Sequence, residues 1–278
     1  MFKGSTMLKS PARSKNPSTL KGRVAIVTGS TSGIGLGIAR ILARQGADIV
    51  LNGFGECSEI KAIRADIKRD YGVRAVHDGA DMSKGPAVHR LVAATIEKLG
   101  RVDILVNNAG IQFTAPVENF PAEKWDAILT INLSAAFHSI AAAVPAMREQ
   151  GWGRIVNIAS AHGLVGSPHK AAYVAAKHGL VGLTKVVALE TAGSGITANA
   201  VCPGWVRTPL VEKQISDIAT RERISLQEAA AELLGEKQPS GVFVTPEQLG
   251  ETVTFLCSPA ADQITGTTLA VDGGWTAQ

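Results

Sequence analysis

Tyr173 and Lys177 lie four residues apart, a spacing at which the two side chains share one face of a helix. A phenol has a pKa of about 10, and a nearby ammonium favours the phenolate and lowers that value. Ser160 lies upstream at the end of a short apolar run, where its hydroxyl can hydrogen-bond a substrate oxygen. A tyrosine and lysine at this spacing alone are more often an ordinary surface pair. With Ser160, they predict a general acid/base, its activating cation and an oxygen-orienting hydroxyl.

These residues belong to one stretch, 157–177, which begins as an apolar strand, passes through a glycine-containing loop and enters an alanine-rich helix. Ser167 followed by Pro168 predicts the N-cap and the first helical residue. On that helix Lys170 would lie on the same stripe as Tyr173. His162 follows Ser160 by two residues. We therefore expect the side chains of Lys170 and His162 to lie near the reacting group. Taken singly, each is more often structural or solvated.

A second cluster near the N-terminus predicts a site for a dinucleotide phosphate. The apolar residues 23–28 predict a buried parallel strand, and a helical pattern runs to about Gln45. Between them Gly29 allows a turn, Gly33 lets the backbone approach a pyrophosphate, and Gly35 permits close packing of the helix. The spacing is Gly-x-x-x-Gly-x-Gly, so the Gly-x-Gly-x-x-Gly fingerprint is not met literally.

Strands and helices alternate along the rest of the chain, which predicts one doubly wound α/β domain over residues 20–278. A long helix is predicted around residues 125–147, and further strands end just before loops that carry polar residues or glycine. The remaining strands are predicted at residues 47–51, 74–77, 103–106, 154–158, 196–201 and 268–271. Residues 206–244 form a long insert after the sixth strand, with helical patterns at 212–223 and 225–237. We expect this insert to cover the ligand as a mobile lid.

The second strand ends at Asn52, where NAD enzymes usually carry an acid and NADP enzymes usually have an arginine nearby. Neither residue type is present, and residues 29–35 and 52–55 contain no lysine or arginine. NAD is therefore the predicted cofactor. Asp81 is expected to accept from the adenine amino group, to cap the following helix, or to do both.

Composition limits the class of partner. The net charge of +4 equals the charge of the acid-free segment 1–19, so the remainder is neutral and no nucleic-acid groove is expected. That segment has no apolar periodicity and is predicted to be a disordered basic tail, either an added tag or a native extension. The three cysteines are widely spaced, which favours a reducing compartment such as the cytoplasm. No uninterrupted apolar run is long enough to predict a membrane span.

Six features, in this order and spacing, resemble the short-chain dehydrogenase/reductase family: TGSTSGIG at 28–35, NNAG at 107–110, Asn132, Ser160, YVAAK at 173–177, and Pro-Gly at 203–204. The resemblance covers residues 20–278. It implies a single Rossmann domain with a parallel seven-stranded sheet, a helical substrate lid, no catalytic metal, and usually a homotetramer.

The resemblance also implies roles. Tyr173 would be the general acid/base, Lys177 would lower its pKa and bind the nicotinamide ribose, Ser160 would orient the substrate oxygen, and Asn132 would hold a relay water. From the residues alone, Asn132 could equally bond a neighbouring carbonyl. The residues expected to bind NAD are Gly29, Thr31, Ser32, Gly33, Ile34, Gly35, Phe54, Asp81, Met82, Asn108, Ala109, Gly110, Tyr173, Lys177, Pro203, Gly204, Val206 and Thr208.

Further segments, at 51–55, 107–112, 158–165, 202–215 and 271–276, resemble members of this family that oxidise D-3-hydroxybutyrate. This likeness implies a small anionic 3-hydroxy or 3-oxo acid as substrate. A short anion needs a cation near the reacting carbon, which Lys170 would supply. The residues expected to contact the substrate are Gln112, Ser160, His162, Lys170, Tyr173, Trp205, Gln214 and Trp275.

Two alternatives stay open. One is another enzyme of the family, such as an NADPH-linked 3-oxoacyl thioester reductase, against which Lys170 and the absence of basic residues at 52–55 both argue. The other is a catalytically silent nucleotide-binding protein of the same fold, which the intact set of Asn132, Ser160, Tyr173 and Lys177 disfavours.

Overall fold

The computed structural model describes residues 20–235 and 237–277. The tail predicted at residues 1–19 lies outside the described residues. The chain forms one parallel sheet of seven strands in the order β3-β2-β1-β4-β5-β6-β7. The strands are β1 Val24–Val27, β2 Asp48–Asn52, β3 Ala75–Asp78, β4 Ile104–Asn107, β5 Gly153–Ile158, β6 Ile196–Pro203 and β7 Thr268–Val271. The prediction of a doubly wound domain with a parallel seven-stranded sheet is confirmed.

Nine α-helices accompany these strands among the described residues. They are α1 Gly33–Arg44, α2 Cys57–Tyr71, α3 Gly85–Leu99, α4 Ala122–Leu129, α5 Ala135–Glu149, α6 Ala171–Glu190, α7 Pro209–Glu222, α8 Leu226–Gly235 and α9 Pro246–Leu256. The sheet order reverses between β1 and β4, so the loops after these two strands diverge and leave a crevice at the carboxyl edge.

Strand alternation divides the core into two layers. In β1, Ala25 and Val27 pack in one cluster with Leu42 of α1 and Val253 of α9. Val24 and Ile26 point to the other face and join a cluster that includes residues of α3 and α5. Burial on both faces explains why β1 is an uninterrupted apolar run.

The start of α6 differs from the sequence prediction. Ser167 and Pro168 do not begin the helix, since its N-cap is Lys170 and its first residue is Ala171. His169 has a φ of 63°, in the left-handed region, which interrupts any helix before it. Lys170 therefore lies before the helix and not on its stripe, because its backbone is not helical.

The long helix predicted around residues 125–147 is also interrupted. Helices α4 and α5 are joined by a π-helical turn, Thr130–Ser134, with Asn132 at its centre. An extra residue in a helical turn changes the direction of the side chains that follow, and such turns are frequent at functional sites. The hydrophobic pattern gave no indication of this turn.

Two described helical stretches, Ala122–Glu149 and Ala171–Glu190, have the length and apolar character that a membrane span requires. In this fold α5 packs on β4 and β5, and α6 packs on β6. Core helices of globular proteins satisfy the same criteria. The expectation that the chain lacks a membrane span stays a prediction.

Candidate active site

The loops after β1, β4, β5 and β6 surround a cavity of about 910 Å³ at the carboxyl edge of the sheet. This is where a doubly wound sheet binds its ligands. Ser160 follows β5, Gly204 follows β6, and Tyr173 and Lys177 reach the cavity from α6.

The glycine turn after β1 packs so closely against the rest of the chain that two of its positions have no room for a side chain. Gly29 has a φ of 60°, and a Cβ atom there would lie 2.9 Å from the Ala109 Cα. A Cβ on Gly35 would lie 2.3 Å from the Gly29 carbonyl oxygen. Helix α1 begins at Gly33, and its N-cap, Ser32, makes no side-chain capping bond. The first amides of α1 are therefore oriented toward the cavity edge without a side-chain acceptor, as an anion site requires.

All the residues predicted to bind the cofactor line this cavity except Gly35, which lies behind the turn. The cavity runs from the glycine turn, past Phe54 and Asp81, to Tyr173 and Lys177. Lys177 is the one cationic side chain among its described lining residues. These residues fit a nicotinamide dinucleotide, with room for the pyrophosphate at α1.

Two asparagines hold the loops of this cavity together. The Asn108 side-chain amide donates to the carbonyls of Thr28 and Gly29 at 2.9 and 3.0 Å. The buried Asn52 accepts from the Gly29 amide at 3.3 Å and donates to the carbonyls of Asp78 and Ala80. Asn52 therefore braces three strand ends and is not free to bind a ribose, a role that sequence reasoning missed.

Asp81 occupies a turn. Its carboxylate accepts from the backbone amide and hydroxyl of Ser83 at 2.9 and 2.7 Å. These bonds hold the pKa of Asp81 below its ordinary value, so the group is ionised at neutral pH. It stabilises the turn before α3 and is not the N-cap of that helix, which is Lys84. It also lines the cavity, so a ligand contact remains compatible with this role.

The structure brings together the side chains of Ser160, Tyr173 and Lys177, the predicted catalytic group. The Lys177 ammonium donates to the Ile158 carbonyl at 2.7 Å and lies 5.5 Å from the centre of the Tyr173 ring. The Ser160 hydroxyl accepts from the His162 amide at 3.1 Å. Ser160 thus caps the short turn after β5, which fixes its hydroxyl beside the tyrosine.

Burial dominates the electrostatics of this group. Desolvation raises the pKa of Tyr173, while the Ser160 hydroxyl acts in the opposite direction. Burial also lowers the pKa of Lys177 to about 8. The sequence-based expectation was that the Lys177 charge lowers the pKa of the tyrosine. In this structure desolvation is the larger effect and raises the pKa of Tyr173, while the hydrogen bond from Ser160 opposes it.

Asn132 is fully buried in the π-helical turn. Its side-chain oxygen accepts from the Ile111 amide at 2.8 Å, and its side-chain nitrogen donates to the Ile111 carbonyl at 2.9 Å. The asparagine thus satisfies a neighbouring peptide, as the residues alone allowed. Each amide atom keeps capacity for one more hydrogen bond.

The predicted substrate residues form two groups. Gln112, Ser160, Tyr173 and Gln214 line the cavity, whereas His162, Lys170, Trp205 and Trp275 do not. The latter four pack into a cluster beside Tyr173, with the His162 ring 5.9 Å from the tyrosine ring and 5.0 Å from the Trp275 ring.

Three polar atoms of these substrate residues are buried without a hydrogen-bond partner among the described residues. They are His162 Nε2, Trp205 Nε1 and Gln214 Oε1. Buried polar atoms are rarely unsatisfied, so these three can hydrogen-bond a polar group that enters the site. Burial and the nearby lysines lower the pKa of His162 to about 3, so its ring is a neutral hydrogen-bonding group.

Three further residues were missed by sequence reasoning. The buried Gln238 accepts from the Trp205 amide at 2.8 Å, and Asp272 accepts from the amide and hydroxyl of Thr276 beside Trp275. Lys237 lies with its ammonium 5.5 Å from the centre of the Trp275 ring. Lys237 and Gln238 stand in no recognisable motif, since the lid brings them to the site from a distance in sequence. Asp272 lies in the segment 271–276, but nothing in that pattern indicates its hydrogen bonds to Thr276.

Comparison with known proteins agrees with this geometry. The family model described as enoyl-(acyl carrier protein) reductase matches residues 29–276. The chain is 56% identical to the D-beta-hydroxybutyrate dehydrogenase of Cupriavidus necator over 93% of this chain and 100% of that protein. It is 52% identical to the enzyme of the same name from Rhizobium meliloti, over 92% of this chain and 99% of that protein.

Among solved structures, L-sorbose reductase from Gluconobacter frateurii, complexed with NADPH and L-sorbose, superposes with a TM-score of 0.90. The two are 30% identical, and the match covers 95% of this chain and 100% of that chain. The sheet, the glycine turn and the cavity therefore agree with relatives found by sequence and by structure. This chain belongs to the short-chain dehydrogenase/reductase family of oxidoreductases.

Proposed function

We propose that this protein interconverts D-3-hydroxybutyrate and acetoacetate with NAD as cofactor. The observation that carries the proposal is the placement of Ser160, Tyr173 and Lys177 at the cavity, beside the cluster that contains His162 and Lys170. The names of the relatives at 56% and 52% identity support the same reaction.

In the oxidation direction, Tyr173 as phenolate takes the proton of the C3 hydroxyl, and Ser160 holds the same oxygen by a hydrogen bond. A bound NAD would supply the acceptor for the hydride that leaves C3. Lys177 and Asn132 then pass the proton outward, and its release balances the reaction. Desolvation raises the pKa of Tyr173 in the structure, and the hydrogen bond from Ser160 opposes this effect, so Ser160 also favours the phenolate.

The substrate carboxylate is assigned to His162, Lys170, Gln112 and Gln214, with Trp205 and Trp275 beside its methyl end. Neutral His162 donates a hydrogen bond, and Lys170 supplies charge. The unsatisfied Nε2 of His162 supports this placement, because a bound carboxylate would accept its hydrogen bond.

We propose NAD and not NADP because of the residues around the carboxyl end of β2. Asn52 is committed to the scaffold, Phe54 is 71% exposed, and Asp81 adds negative charge. No arginine or lysine at this end of the described cavity lining is available for a 2′-phosphate. A cytoplasmic location, a homotetramer, and the absence of nucleic-acid and membrane partners complete the proposal.

The test is the formation of NADH from the two separate enantiomers of 3-hydroxybutyrate, repeated with NADP. The proposal expects turnover of the D form with NAD and little with NADP. A preference for NADP together with turnover of 3-oxoacyl thioesters would assign the protein to the reductase alternative. Lack of turnover of both enantiomers, with NAD still bound, would refute the substrate.

A further inference from the structure

Two lysines lie close to two indole rings at the substrate end of the site. The Lys170 ammonium lies 5.6 Å from the centre of the Trp205 ring, and the Lys237 ammonium lies 5.5 Å from the centre of the Trp275 ring. The two indole rings are 6.2 Å apart, and Trp275 also contacts the His162 ring. Lys237 therefore belongs to the same cluster as the residues assigned to the carboxylate.

The positive charge of this cluster is not balanced by the protein. Within residues 20–235 and 237–277, no carboxylate forms an ion pair with Lys170 or Lys237. The charge of Lys237 helps to lower the pKa of Lys170, and both lysines help to lower the pKa of His162, with burial the larger cause in each case. Two like charges held near one another are unfavourable unless an anion lies between or beside them.

Lys237 reaches this position from the lid. It follows α8, near the end of the insert 206–244, and its ammonium donates to the Ser167 hydroxyl at 3.3 Å. Ser167 lies in the loop that precedes α6, as Lys170 does. The lid thus adds a second cation to the cluster that already contains Lys170.

We propose that Lys237 is a substrate-binding residue, the second cation of the carboxylate subsite, which selects a free acid over a neutral ester. The inference rests on the proposed function, since it concerns the same substrate and the same pocket. Lys170 reaches the carboxylate from the start of α6, and Lys237 reaches it from the lid. Lid closure and charge neutralisation then occur together.

If the role of Lys237 were purely structural, it would consist of the hydrogen bond to Ser167, which ties the lid to the loop before α6. The two roles differ in what each substitution removes. Ser167→Ala removes the bond and keeps the cation, whereas Lys237→Met removes the cation and keeps most of the apolar stem.

The experiment compares Lys237→Met, Lys237→Arg, Ser167→Ala and the exposed-lysine control Lys213→Met from α7. KM and kcat are measured with NAD for D-3-hydroxybutyrate and for its methyl ester. Binding of 3-hydroxybutyrate in the presence of NAD is followed separately by tryptophan fluorescence, since Trp205 and Trp275 lie in the subsite.

Lys237→Met is expected to raise KM for the acid about tenfold, with kcat within about twofold and KM for the ester unchanged. The fluorescence affinity should fall by the same factor, while the other three variants stay within about threefold of the wild type. Equal losses on acid and ester, a wild-type KM in Lys237→Met, or the same loss in Ser167→Ala would overturn the inference.

The two hypotheses fail differently. A wild-type protein that binds 3-hydroxybutyrate but does not oxidise it would refute the proposed function, and a loss of that binding in Lys237→Met would still support the subsite. A wild-type protein that binds no 3-hydroxybutyrate would overturn both.

Discussion

At the scale of single residues, the site consists of side chains whose ionisation is set by burial more than by partners. Tyr173 has a raised pKa, Lys177 a pKa of about 8, and His162 a pKa of about 3. Desolvation is the largest cause in all three cases. Burial thus favours the neutral form of each of these groups.

Replacing Tyr173 by Phe should abolish turnover and leave NAD binding intact. The ring and its packing against His162 remain, and only the hydroxyl that exchanges a proton is removed. We expect kcat to fall by about 10²–10⁴-fold. Steady-state kinetics measures the loss, and calorimetric titration with NAD is the control. A variant with more than about a tenth of wild-type turnover would contradict the role of the tyrosine.

His162→Gln should weaken the dependence of stability on acid. The pKa of His162 is about 3 in the folded protein against 6.5 for the ordinary group, so the unfolded chain binds the extra proton between these values. The stability associated with the neutral ring is complete above pH 6.5 and is lost as the pH falls toward 3.

Urea unfolding at neutral pH and at a pH near 4.5 measures this effect for His162. The midpoint of the wild type should fall more between the two conditions than the midpoint of His162→Gln. Equal decreases in the two proteins would show that His162 is accessible to protons in the folded state.

At the scale of elements, the cavity exists because loops from distant strands are held at fixed distances. Asn52 and Asn108 fasten the loops after β1, β2 and β4 to one another. The π-helical turn inserts Asn132 against Ile111, which positions the loop that carries Gln112. These hydrogen bonds restrict the flexibility that glycine-rich loops would otherwise have.

Gly35→Ala should reduce affinity for NAD by more than about tenfold, because its Cβ would lie 2.3 Å from the Gly29 carbonyl and displace the turn. Gly79→Ala, in the loop after β3, is the control, because a Cβ there would meet only the His77 ring at 3.8 Å. Titration with NAD measures both variants. Similar affinities in the two would exclude a role for close packing at Gly35.

At the scale of the whole molecule, the insert 206–244 packs largely on itself. A separate apolar cluster unites α7 and α8 through Val211, Ile215, Leu234 and Phe243. A single parallel bridge between Val206 and Val244 closes its base. A unit with its own small core and a narrow attachment is suited to move as one body.

Amide hydrogen exchange should therefore be faster in α7 and α8 than in the sheet, and should slow when NAD and 3-hydroxybutyrate are added together. Mass spectrometry of the exchanged peptides measures the difference. NAD alone is the control, because the proposed contacts of Gln214 and Lys237 form only when the acid is bound. Unchanged exchange in both helices with the two ligands present would argue against a lid.

The assembly predicted from the family is a homotetramer, so light scattering should give a mass of four chains of 29.0 kDa each. Large apolar side chains remain exposed on the single chain, including Phe137 on α5 at 53% and Leu189 on α6 at 79%. Burial of such residues between copies would favour association. A monomeric mass at micromolar concentration would refute this expectation.

The sequence by itself determined the strands and the order of the elements along the chain, and it predicted the residues of the proposed catalytic group. Continuous apolar runs identify parallel strands, and each predicted strand lies within two residues of the observed one. The Ser160, Tyr173 and Lys177 set was identifiable because its members lie close in sequence on one strand end and one helix. Such local patterns can be recognised without knowing which distant residues pack against them.

Only the tertiary structure decided the start of α6, the π-helical turn and the partners of the substrate end. Ser167 and Pro168 satisfy the local preferences for a helix start, yet the bond between Ala115 and His169 holds that segment in another conformation. Asn52, Lys237 and Gln238 acquire their roles from residues far away in sequence. Burial and long-range packing set these roles, and neither can be read from spacing along the chain.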